Sequence, residues 1–234
     1  MKFKLLVLTA LGIVLAQSSA LAHFVWITVA KDSAGQPQAQ VHFSELAEPD
    51  AANLLDRVAA VKVWSRTPAG KPSELKLAKQ VTGEVGSWVA GVPEKTAAVS
   101  GYIKYGVLER RGMVFLLWYH AKYLDAGAAD FKALARDEAL ALDVVPHAAE
   151  KGYSLEVLFQ GMPVEGSEVV VLDPESNETT LKTDAKGRAT IDAKPGLYSI
   201  RAKWTLNEAG KDGEKEYPQV NHYSTLALRV PAVK

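Results

Sequence analysis

Apolar and polar residues alternate with a period of two through most of the chain, a pattern that predicts strands. Phe24–Val29 opens the first, Gln38–Ser44 the second, and Val61–Ser65 and Val114–Lys122 two more. The last of these is rich in the strand formers Phe115, Trp118 and Tyr119. The spacing turns helical in two places. Pro49-Asp50 is a start signal for a helix over Asp50–Ala60 carrying Leu54, Leu55 and Val58. Ala128–Leu140 sets Phe131, Leu134 and Ala135 on one helical face.

The stretch from Val145 to Gly152 is polar, holds Pro146 and Gly152 near its ends, and reads as a linker. Beyond it come short strands at Ser154–Phe159, Ser167–Leu172, Thr179–Thr183, Ala189–Ile191, Leu197–Trp204 and His222–Val230. Turn signals such as Asp173-Pro174, Asp184-Ala185-Lys186-Gly187 and Lys194-Pro195-Gly196 separate them. The charged segment Asn207–Pro218 reads as an exposed hairpin or loop. The expected fold is therefore mainly β, with two β-sandwich-like domains. Residues 23–145 form the first, with one or two short helices, and residues 146–234 an immunoglobulin/prealbumin-like second.

Residues 1–22 break the alternation. Lys2 and Lys4 precede an apolar run from Leu5 to Ala16, followed by the small-x-small ending Ala20-Leu21-Ala22. A membrane span needs about 20 apolar residues, and this run is shorter. It reads as a signal peptide cleaved after Ala22, although Ser18-x-Ala20 also satisfies the small-residue rule. The expectation is an exported protein, periplasmic or secreted, soluble once the leader is removed.

Composition narrows the chemistry. With no cysteine there is neither a disulfide nor a thiolate metal site. Removing Lys2 and Lys4 from the 27 basic residues leaves 25 against 27 acidic ones, and no basic block or basic helix stands out. That balance argues against nucleic acid or an anionic membrane as partner. Gly-x-Ser-x-Gly, a phosphate-binding loop and a dinucleotide fingerprint are all missing, so the chain reads as a binding protein and not an enzyme. The five tryptophans fall mostly in strand patterns, where a core role outweighs sugar stacking.

Five histidines remain as candidate chemistry, and imidazole suits Ni, Cu and Zn. Cleavage after Ala22 would make His23 the first residue, with a free α-amine and an imidazole able to chelate one ion together. His42 lies mid-strand, His120 ends the most apolar strand, His222 opens the last one, and His147 sits in the linker as a solvated residue. No His-x-His or His-Glu-x-x-His pair occurs, so any site must be assembled from distant segments.

Ala22-His23-Phe24-Val25-Trp26 resembles the Ala-His-x-x-Trp opening of the DUF4198 family of exported bacterial proteins. Phe43-Ser44-Glu45, Tyr105-Gly106-Val107, Tyr119-His120-Ala121-Lys122 and His222-Tyr223-Ser224-Thr225-Leu226 are similar to further family segments, in order. Ser44 stands where the family has glycine. The resemblance implies a periplasmic component that binds Ni2+ or Co2+ in support of uptake through a membrane metal transporter. It implies His23 as first ligand and His222 as second, with His42 or His120 completing the set. Two other readings stand beside it. One is Cu2+ in a histidine-brace-like site, and the other is a structural or interaction module whose histidines are incidental.

Overall fold

The computed structural model describes residues 23–68 and 70–232. The leader and its cleavage point lie outside the described residues. Strands make up 59% of the structure and helix 5%, so the mainly β expectation holds. Among the described residues no helix is long and apolar enough to cross a membrane.

In chain order the first strands are β1 (Phe24–Lys31), β2 (Pro37–Ser44), β3 (Asp50–Ala51), β4 (Lys62–Arg66), β5 (Ser73–Glu74), β6 (Ala78–Thr82) and β7 (Val85–Gly91). Then come β8 (Ala98–Arg110), β9 (Met113–Asp125), α1 (Phe131–Leu134), β10 (Leu142–Ala149), β11 (Gly152–Phe159) and β12 (Met162–Pro163). The chain closes with β13 (Glu168–Leu172), β14 (Glu178–Lys182), β15 (Arg188–Asp192), β16 (Gly196–Leu206), β17 (Gly210–Asp212), β18 (Lys215–Tyr217) and β19 (Val220–Val230).

The organising element is an eight-stranded sheet in the order β14-β13-β16-β19-β9-β8-β4-β5. Its middle joint, β19 against β9, is parallel, with His222 opposite Trp118 and Ser224 opposite His120. Side chains alternate across a strand, so β9 and β19 each serve two cores. Leu117, Tyr119, Ala121, Tyr123 and Ala227 join Phe24–Ile27, Val41 and Phe43 in a first core, against the sheet built on β1, β2 and β7. Leu124, Leu226 and Leu228 join Leu142, Val144, Leu155 and Val157 in a second core, against the sheet of β10, β11, β12 and β15. The two cores thus lie on two faces of one shared sheet.

Three local expectations need correction. The segment around Val145–Gly152 is no linker: β10 runs through it and pairs with β11 from Leu142↔Phe159 to Ala149↔Gly152. Its polarity misleads because β10 is an edge strand, where Pro146 needs no ladder partner. A boundary after Val145 therefore falls inside a strand. The helix expected over Asp50–Ala60 is a two-residue strand followed by a 3-10 helix at Ala52–Val58, whose Leu55 and Val58 are buried. No side chain caps its start, and the three-residue spacing suits the tighter helix. The helix expected over Ala128–Leu140 shrinks to α1, a single turn. The carbonyls that would carry it on are taken by side chains: Arg66 donates to Leu134 and Arg136, and Lys122 to Ala135. The expected exposed hairpin at Asn207–Pro218 is present as β17 and β18.

Candidate metal-binding histidines

His23 immediately precedes β1, whose residues 24–28 are buried and hold His23 in place. The Tyr119 hydroxyl donates to the His23 carbonyl at 3.0 Å, and the imidazole lies against the Phe43 ring at 5.5 Å between centroids. Its Nε2 is 3.1 Å from Asp50 Oδ2 on β3. A carboxylate only accepts, so in this pair Nε2 carries the proton and, in the neutral ring, Nδ1 holds the free lone pair. Beside it opens a cavity of about 380 Å3 whose charged walls are Arg110, Arg111 and Lys203.

His42 is buried on β2 opposite Trp26 and spends both nitrogens on hydroxyls: Nε2 faces Thr28 Oγ1 at 2.9 Å and Nδ1 faces Ser87 Oγ at 2.8 Å. Burial lowers its pKa to about 4, so it stays neutral. This is a satisfied core histidine with no nitrogen left for an ion.

His120 and His222 meet across the parallel joint of the central sheet, with His120 Nε2 3.0 Å from His222 Nδ1. The rings are nearly parallel, at 19°. Burial lowers His222 to about 4, and burial with the neighbouring His222 lowers His120 to about 3. Both are thus neutral at pH 7. They line a cavity of about 410 Å3 with Trp118, Phe159, Tyr102 and Glu208. His147, on β10, pairs its Nε2 with Glu156 at 2.8 Å, so it is a half-exposed strand residue and not a linker one.

The four candidates therefore separate. Cavity walls beside His23 come from Leu117, Tyr119, Asn221 and Tyr223, and those beside His222 from Leu116, Trp118, His120 and Val220. These alternate along β9 and β19, so His23 and His222 occupy opposite faces of the sheet. The structure joins His120 to His222 and leaves His23 and His42 elsewhere. Among the described residues no group of three or more His, Asp or Glu forms a ready metal cage. Sequence reasoning missed Asp50, whose place after Pro49 looked like a helix start. It also missed Trp118 as a cavity wall, and the strand register that would have found it spans about a hundred residues of chain. No family model matches the chain, and no curated protein matches it either.

Proposed function

We propose that the protein is an exported transition-metal-binding protein that holds Ni2+, or Co2+, through the mature N-terminal His23 in support of metal uptake. One observation carries this reading, the contact of His23 Nε2 with Asp50. A ligating histidine commonly donates its second ring N–H to a carboxylate, which fixes tautomer and orientation and raises basicity. Here the nitrogen left over is Nδ1, the one that closes a chelate ring with the α-amine of the same residue. Two nitrogens from one residue leave the remaining positions of the ion open. Such a site suits a carrier that surrenders its cargo to a membrane transporter.

The test compares mature protein beginning at His23 with protein retaining Ala22, by Ni2+ calorimetry. The extension turns the amine into an amide and should abolish tight binding. Asp50→Asn should weaken it about 10- to 100-fold, and His147→Ala should leave it unchanged. Because the amine must lose a proton to bind, affinity should fall as pH falls. Equal affinity with and without Ala22 would overturn the reading.

A further inference from the structure

The cavity beside His23 concentrates charge of one sign. The chain carries 27 basic and 27 acidic residues, yet the described lining holds Arg110, Arg111 and Lys203 and no carboxylate. Its floor is the first-core face of three neighbouring strands, with Lys203 on β16, Asn221 and Tyr223 on β19, and Tyr119 on β9. The end of β8 and the turn into β9 supply Arg110 and Arg111. Arg110 stands close enough to Tyr119 to oppose the rise that burial gives its hydroxyl pKa. Lys203 lies 5.7 Å from the Tyr223 ring. Among the described residues neither Arg111 nor Lys203 is paired with a carboxylate.

Asn221 adds donors to that charge. It is 3% exposed, and its Oδ1 accepts the Thr205 hydroxyl at 2.8 Å and faces the Gln219 amide at 3.5 Å. Its Nδ2 has no hydrogen-bond partner among the described residues, on a side chain that lines the cavity. Guanidinium, ammonium and amide N–H groups all donate, so this lining is suited to an acceptor. A cleft lined by one sign of charge against low-dielectric walls gathers ions of the other sign. Guanidinium forks match a carboxylate two oxygens at a time. Phe115 and Leu117 put apolar surface among the donors, which favours an anion with a carbon skeleton over an inorganic one. At about 380 Å3 the cavity falls in the range of small-molecule sites. The same charges bear on an ion at His23. A bare dication there would face three cations across one cavity, and Asp50 offsets only one of them. A ligand that brings its own negative charge removes this repulsion. Its oxygens would also fill positions that amine and imidazole leave open, and mixed N,O ligation suits Ni(II).

We propose that this cavity is a binding site for a small polycarboxylate, and that the ion at His23 is held as a complex with it. The second half rests on the nickel reading. The anion site stands on the lining alone.

The probe is citrate, titrated by calorimetry into metal-free protein beginning at His23. It should bind saturably, and Arg111→Gln with Lys203→Gln should weaken it about 10-fold or more. Both side chains are exposed, so their loss should not disturb the core. Lys186→Gln, which removes an exposed cation from the turn between β14 and β15, should leave the affinity unchanged. Inorganic phosphate at equal ionic strength should bind more weakly than citrate. Nitrogen NMR of the parent protein needs no variant: citrate should shift the side-chain amide signal of Asn221 and leave that of the exposed Asn177 in place. The anion site is overturned by no saturable binding, by equal affinity in the double variant, by phosphate binding as tightly, or by an unmoved Asn221 signal. For the ion, the preformed Ni(II)–citrate complex should bind protein beginning at His23 about 10-fold or more tighter than citrate does. With Ala22 retained it should bind no tighter than citrate. If the complex gains nothing while Ni2+ alone still distinguishes the two proteins, the ion is not held as a carboxylate complex. If Ni2+ alone does not distinguish them, the nickel reading has failed, and the citrate titration still decides the anion site.

Discussion

His42 shows at the scale of one side chain how burial sets a response to acid. In the unfolded chain its imidazole titrates at an ordinary 6.5, and in the folded protein at about 4, because protonation would put a charge among buried strands. Above pH 6.5 both states are neutral at this position and the folded state keeps its full stability. Between 6.5 and 4 only the unfolded chain takes up the proton, so stability falls as pH falls, by roughly 3 kcal/mol for this one group. Urea midpoints at pH 7.5 and 4.5 should therefore drop further in the parent protein than in His42→Gln, whose side chain can still meet Thr28 and Ser87. An identical drop in both would mean that the buried imidazole carries none of the acid sensitivity. The sequence placed His42 correctly in mid-strand. It could not name Thr28 or Ser87, because both partners come from neighbouring strands.

At the scale of elements the decisive irregularity is a bulge in β8. The register against β9 shifts between Lys104 and Gly106, leaving Tyr105 as the inserted residue, and Gly106 adopts φ +113°. The extra residue changes the parity of the strand, so that Leu108 faces the first core together with Phe115. Tyr105 itself stacks on Phe43 at 5.7 Å and meets Tyr119 edge-on at 5.5 Å, which builds the aromatic wall behind His23. Gly106→Ala meets no neighbouring atom, so its effect is conformational. It should destabilise the protein by about 1–3 kcal/mol in urea unfolding. An unchanged midpoint would show that the bulge relaxes without a glycine. Strands with clean alternation, such as Phe24–Val29 and Val114–Lys122, were legible in the sequence because one face of each is buried. β6 was not, since all five of its residues are exposed and carry no apolar period. The second helix was overread for another reason: side chains of Arg66 and Lys122, on other strands, take the carbonyls that a helix beyond α1 would use.

At the scale of the whole molecule, the question is what fixes the sheet of β10 and β11 onto the central sheet. Apolar packing supplies much of it, but the joint also contains a fully buried ion pair. Lys122 on β9 lies 2.5 Å from Asp143 on β10, with side chains 1% and 3% exposed. Neither charge is left with a single partner: Lys122 also donates to the Ala135 carbonyl, and the other oxygen of Asp143 accepts from the Asp137 backbone N–H. Asp137 in turn binds Arg66 and the Trp64 indole, so the network runs on to β4. Burial pulls the Lys122 ammonium down while Asp143 opposes that shift, so the charge on Lys122 depends on its partner. Lys122→Met removes the cation and leaves a carboxylate buried beside apolar groups, which should destabilise by about 3–5 kcal/mol. Replacing both partners, Lys122→Met with Asp143→Leu, should cost less than the two single changes added together, because no lone charge remains buried. Urea unfolding of the two single variants and the double variant closes that cycle. If the losses simply add, the pair is not coupled.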